Sequence, residues 1–151
     1  MKKITVDAAP LRVGSGYPKP YDEACRTRKR SRLGDAAGLT QFGVNLLRLP
    51  VGQWSSQRHW HSAEDEFVYV LEGEVVMVTQ AGEEVLRPGD CAGFKAGVAD
   101  GHHLQNRGSS EAVILEIGSR RPDGDNVDYP DIDLRISGGR DYRHKDGVPY
   151  K

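Results

Sequence analysis

The stretch RHWHSAEDEFVYVLEGE, Arg58 to Glu74, decides how the rest of the chain reads. Its second half, Glu66 to Gly73, is dense in aromatic and β-branched residues and stops at Glu72-Gly73, the pattern of a strand entering a hairpin turn. EVVMVTQ supplies the return strand. The first half carries two histidines one residue apart. On extended chain, side chains at i and i+2 share a face, so His59 and His61 project together while Trp60 points away. Two imidazoles on one face suit a divalent transition metal, and Glu66 can swing back to the same side if the strands pair.

Working outward, the same rhythm continues. TQFGVNLLRLP, Thr40 to Pro50, reads as a strand that ends at the turn Pro50 to Gly52. Ala81-Gly82 and the Pro-Gly of LRPGD, Leu86 to Asp90, mark further turns. CAGFKAG and HHLQN are short strands, and EAVILEIG, Glu111 to Gly118, is a long one. Turn signals recur roughly every 8–12 residues, as in a sandwich or barrel. The 18 glycines and 8 prolines fit that reading, and no apolar stretch of helical length shows a 3.6-residue period. The predicted architecture is all-β, with the barrel over residues 38–118. An N-terminal arm, 1–37, packs on it, and a C-terminal extension, 119–151, wraps it through Val127, Tyr129, Ile132, Leu134 and Ile136.

Composition narrows the partners. A 151-residue chain with 37% hydrophobic and 28% charged residues has the size and balance of one globular domain. No apolar run approaches the ~20 residues of a membrane span. The opening MKKITVDAAPLR lacks the apolar segment of a signal peptide, which makes the cytoplasm the expected location. Two cysteines, Cys25 and Cys91, do not make a disulfide framework, and Cys91, on a predicted strand, reads as a buried inert thiol. Residues 1–58 carry 11 Lys/Arg against 4 Asp/Glu, whereas residues 59–118 carry 3 against 11. Within the basic part, RTRKRSR, Arg26 to Arg32, could contact nucleic acid or phosphate, or form a solvated edge that pairs with acidic groups. Lacking interleaved aromatics, in a chain of net charge −1 and with no helix-turn-helix pattern, it reads as the solvated edge, and nucleic acid is disfavoured as a partner.

Here the residues resemble the cupin superfamily of small double-stranded β-helix (jelly-roll) barrels. The first cupin motif is matched by Gly52, His59, His61, Glu66 and Gly73, with one more residue between Gly52 and His59 than is usual. The second is matched by Gly82, Pro88-Gly89-Asp90, and later His102 with Asn106. Lys95 stands where a proline is usual, and GVADGHH is two residues longer than the usual spacing. More narrowly, GDAAGLTQFGVNLLRLP, SSQRHWHSAEDEFVYVLEGE, GVADGHH and VDYPDIDL look like a bacterial family of small single-domain cupins to which no reaction is assigned.

The resemblance implies a metal site of His59, His61, Glu66 and a fourth ligand, either His102 or His103. On an extended strand only one of these two can face inward, and the spacing to Asn106 favours His102. Four ligands would leave an octahedral ion two open positions, which suits one divalent transition metal per chain: Fe, Mn, Ni, Co or Zn. Cupin chemistry includes dioxygenation, isomerisation and decarboxylation, so the expected protein is a mononuclear metalloenzyme acting on a small oxygen-rich or anionic molecule. The alternative is a non-catalytic small-molecule-binding cupin. No catalytic residue is assigned. Arg48, Gln57 and Arg58, near the motif's entrance, are candidates for substrate contact. A homodimer is expected, because small barrels leave apolar outer faces and open edges.

Overall fold

A computed structural model describes residues 2–121, 124–138 and 141–151. Thirteen strands form among these residues. They are β1 (Leu11–Val13), β2 (Lys29–Arg32), β3 (Phe42–Leu49), β4 (Trp60–His61), β5 (Glu66–Glu72), β6 (Val75–Thr79) and β7 (Gly82–Leu86). After them come β8 (Cys91–Phe94), β9 (His103–Gln105), β10 (Ala112–Ser119), β11 (Val127–Tyr129), β12 (Leu134–Ile136) and β13 (Tyr142–Arg143). Helix is confined, among the described residues, to two 3-10 turns and one α-turn, Leu33–Ala36. No helix is long and apolar enough to cross a membrane.

The strands form three antiparallel sheets: six strands in the order β1-β2-β3-β10-β5-β8, three as β7-β6-β9, and four as β13-β12-β11-β4. This nearly all-β architecture agrees with the sequence reading. The large sheet shows how alternation builds the interior. Arg30 pairs with Leu47, Leu47 with Ile114 and Ile114 with Val70, so these side chains lie in one inward-facing row. Leu47, Ile114 and Val70 are wholly buried and pack with Leu49, Val75, Leu86 and Leu104. A parallel row of Gly43, Gly118, Glu66 and Phe94 faces the same way. Its two glycines place no side chain beside Glu66, which leaves room for a cavity there.

The β5–β6 hairpin depends on Gly73. Its φ is +73°, and a Cβ there would sit 2.8 Å from the Glu111 carbonyl oxygen and 2.9 Å from Ala112 Cα, both backbone. Gly73→Ala therefore meets a disfavoured conformation and a rigid neighbour together. It is expected to destabilise the fold by more than about 1 kcal/mol, read as a lower urea midpoint with unchanged slope.

The ends of the chain build a second core. Val127, Tyr129 and Leu134 are buried against Ile132, Ile136, Tyr142 and Tyr150 of the C-terminal part and against Tyr17 and Tyr21 near the N-terminus. The C-terminal strands also reach the histidine segment, because β11 pairs with β4 and sets Val127 opposite His61. Cys25 is buried, but Cys91 is exposed, which corrects the expectation of a buried thiol. Cys91 pairs with Tyr69 on the outward register of β5, and that face is open.

Candidate metal centre

Three backbone arrangements bring the histidines together. His59 and His102 form an isolated antiparallel bridge, exchanging hydrogen bonds of 3.2 Å and 2.9 Å, so their side chains leave on the same side. His61 follows at i+2 in β4. Glu66 opens β5 on its inward face. As a result, the Nε2 atoms of His59, His61 and His102 stand 3.3, 3.5 and 2.7 Å from one atom, Glu66 Oε2. The ligating atoms of His59, His61 and Glu66 all lie within 4.8 Å of one another.

The outer nitrogens set the tautomers. His59 Nδ1 is 2.9 Å from the Gln57 carbonyl oxygen, which can only accept, so the proton sits on Nδ1 and the Nε2 lone pair faces the centre. His61 Nδ1 lies 2.6 Å from Asp125 Oδ2, a carboxylate–imidazole pair with the same consequence. Asp125 is itself fixed by the backbone N–H of Ala63, which donates to Oδ1 at 2.8 Å. The His102 ring stacks flat on Phe94, centroids 3.5 Å apart.

Glu66 Oε2 is the informative atom. It is shut off from solvent and has no aligned hydrogen-bond donor, although His102 Nε2 is close. Burial pushes the Glu66 pKa up, but His59 above all, with His102 and His61, outweighs it and holds the carboxyl well below its usual range. At His59, burial lowers the pKa and the Glu66 charge more than reverses this; at His102 burial wins. A buried carboxylate oxygen without an aligned partner, with three imidazole Nε2 atoms around it, fits a divalent cation, and this donor set suits Fe, Mn, Co, Ni or Zn.

The other candidates are placed differently. His103 faces away: its Nδ1 is 2.9 Å from the Ser56 carbonyl oxygen and its Nε2 2.9 Å from Gln105 Nε2. Burial lowers its pKa to about 4. Arg48, Gln57 and Arg58 are not brought into the cavities beside the cluster. Arg48 pairs in register with Lys29 on the outward face and bridges to Glu111. The Gln57 amide donates to the Tyr21 carbonyl, and Arg58 grips Asp131 through two bonds of 2.7 Å.

Instead, the groups facing the cluster come from parts of the chain read as peripheral. A cavity of about 410 Å³ is lined by His59, Glu64, Glu66 and His102 together with Arg12, Arg28, Arg30, Arg32 and Arg120. The expectation that RTRKRSR is a solvated edge holds only in part. Arg30 and Arg32 do pair with acids, Glu116 and Asp35, but Arg28 is buried, and the alternate residues of β2 face the cavity. The i, i+2 spacing of Arg28, Arg30 and Arg32 was the available signal. A second cavity, about 220 Å³, shares Glu64, Glu66, Phe94 and His102 and adds His61, Trp60, Lys95 and Val98.

Asp125, also missed by the sequence reading, acts through His61. Asp125→Asn keeps the shape but removes the charge that fixes the imidazole. It is expected to weaken metal affinity about 10–100-fold, measured by competition with a chromogenic chelator.

Fold and motif together define a cupin, and the chain belongs to the cupin superfamily. The cupin domain family (Cupin_2) matches residues 45–118. A solved structure of a sugar phosphate isomerase from a cupin superfamily, from Silicibacter pomeroyi DSS-3, is 43% identical. The match covers 99% of this chain and 97% of that one, with a TM-score of 0.92. A protein from Acidithiobacillus ferrooxidans ATCC 23270, provisionally assigned as a sugar phosphate isomerase, is 33% identical over 83% of this chain and 81% of its own, TM-score 0.73. The polyketide cyclase RemF from Streptomyces resistomycificus shares the fold alone, with 17% identity over 79% of each chain and TM-score 0.62. No curated protein matches.

Proposed function

We propose that this cupin is a metal-dependent isomerase acting on a small phosphorylated sugar. The observation that carries the reading is one cavity lined by His59, Glu66 and His102 of the cluster and by a wall of guanidinium groups. The similarity to a sugar phosphate isomerase along nearly the whole chain supports it. Aldose–ketose isomerisation moves a hydrogen between adjacent carbons while charge develops on two neighbouring oxygens. A divalent ion bound at the cluster would supply Lewis-acid polarisation of the carbonyl and its adjacent hydroxyl.

The remaining tasks fall to side chains. Glu64 lines both cavities, with Oε1 accepting from the Arg121 N–H at 2.5 Å and Oε2 3.8 Å from His61 Nδ1. Asp125, the other carboxylate at His61, lines neither cavity, and we assign the proton transfer between carbons to Glu64. Glu64→Gln is expected to lower kcat at least about 100-fold with metal content unchanged. The Arg30–Glu116 pair and Arg32 line the same cavity and keep its wall charged and ordered.

The experiment is turnover of metal-reconstituted protein on a panel of aldose phosphates in deuterated water, followed by NMR. Product ketose, loss of turnover with chelator and recovery on adding metal support the reading. Bound metal without turnover across the panel would replace it with the non-catalytic binding module. The expected homodimer has a candidate surface in the outward apolar face bearing Phe67, Tyr69 and Leu71, each about two-fifths exposed. Sedimentation at twice the 16.7 kDa chain mass is the expected result.

A further inference from the structure

The positive charges of the cavity are not equally compensated. Arg30 is held by Glu116 at 2.6 and 2.9 Å, and Arg32 by Asp35 at 2.6 Å. Arg120 also reaches Asp35. Arg28 and Arg12 have no carboxylate within 4 Å among the described residues.

Arg28 is 5% exposed. Its Nε donates to the Gly14 carbonyl at 3.2 Å, its Cζ lies 5.8 Å from the centre of the Tyr17 ring, and its Nη1 is buried without any partner. Burial and the nearby Arg30 both push its pKa below the ordinary arginine value, yet a guanidinium stays charged in a protein. A buried, unpaired charge is strongly unfavourable unless something neutralises it. Arg12 makes the imbalance worse. It is exposed at the sheet edge, lines the same cavity, and stands directly opposite Arg30 in the β1–β2 register, a like-charge pairing that strands avoid.

We infer that Arg28 and Arg12 form an anion subsite built for a dianionic phosphate monoester, the end of the substrate that does not react. The inference rests on reading this cavity as the substrate pocket. Two uncompensated guanidinium groups match a double negative charge, and the planar fork of arginine matches phosphate oxygens in pairs. Arg30 and Arg32, already neutralised, frame the subsite and add little net attraction. An anion seated there would neutralise the buried charge of Arg28.

The test is calorimetric titration of chelator-treated protein with inorganic phosphate, a hexose phosphate and the parent hexose. Wild-type protein should bind both phosphate compounds and not the parent hexose. Arg28→Met should weaken phosphate binding at least tenfold and Arg12→Gln about tenfold. Arg107→Gln, which removes a surface partner of Glu83 on another sheet, should leave it unchanged. Arg12 is exposed, so its variant carries the test if Arg28→Met does not fold. No phosphate binding by wild type, or binding by the Arg12 and Arg28 variants as tight as by wild type, overturns the subsite. Because the titration uses metal-free protein, phosphate binding that fails in both variants stands even if no isomerisation is found. Turnover that persists with unaltered KM in both variants sinks the subsite alone.

Discussion

Glu66→Gln is expected to empty the metal centre. The wild-type chain, purified and supplemented, should carry about one divalent transition metal, and the variant close to none after dialysis, both by elemental analysis. The three Nε2 atoms converge on Glu66 Oε2, so that atom is the shared corner of the site. An amide there is neutral and offers the ion one weak oxygen or an N–H that repels it. The fold should survive, because β5 is held on both sides by β10 and β8. His61→Ala should behave alike, with an unchanged far-UV spectrum. The loss should also show in stability. An ion present at 1,000 times its Kd contributes about 4 kcal/mol to the native state, and the variant should gain none of it. A wild-type protein that stays metal-free after supplementation would sink the assignment.

Arg30→Met should be the most destabilising single change in the arginine wall, costing about 3 kcal/mol in urea unfolding. Arg30 and Glu116 are each about one-fifth exposed, with Nε to Oε2 at 2.6 Å. Arg30 also donates to the Ser55 carbonyl at 2.8 Å. Removing the guanidinium strands Glu116 on the inward face of β10. The double change Arg30→Met with Glu116→Met should recover most of the loss, since matched apolar side chains remove both charges together. No recovery in the double variant would mean that the cost lies in packing rather than in the stranded carboxylate.

The sequence exposed the half of the site that is local. His59, His61 and Glu66 lie within one strand–turn–strand segment, so period-2 alternation and a hairpin glycine were enough to place them. His102 could be ranked over His103 only through the family spacing; the geometry shows why one must turn away from the other, since neighbours on a strand face opposite sides. Asp125 was not legible, and the i, i+2 spacing of Arg28, Arg30 and Arg32 could not say which cavity they face, because these places depend on pairings between distant segments. Asp125 meets His61 only because β11 docks on β4, and Arg28 faces the cavity only because β2 adds to β3 in one register. That same register explains why the candidate Arg48 lies outside the cavity. It is near the motif in sequence, but it pairs with Lys29 and so faces outward, while Arg30 one position along faces in.

The hydrogen bond between His61 and Asp125 spans 64 residues, and so it also spans time. At a ribosomal rate of about 5–20 residues per second, Asp125 is made roughly 3–13 s after the histidine it orients. During that interval the nascent chain presents His59, His61 and Glu66 without His102 for part of the time and without Asp125 for all of it. Any ion captured then would be held by an incomplete, unoriented set and would exchange freely. For an ion bound at this site, the choice would thereby be deferred until the C-terminal strands dock, when the folded pocket rather than the first ion encountered would decide what stays.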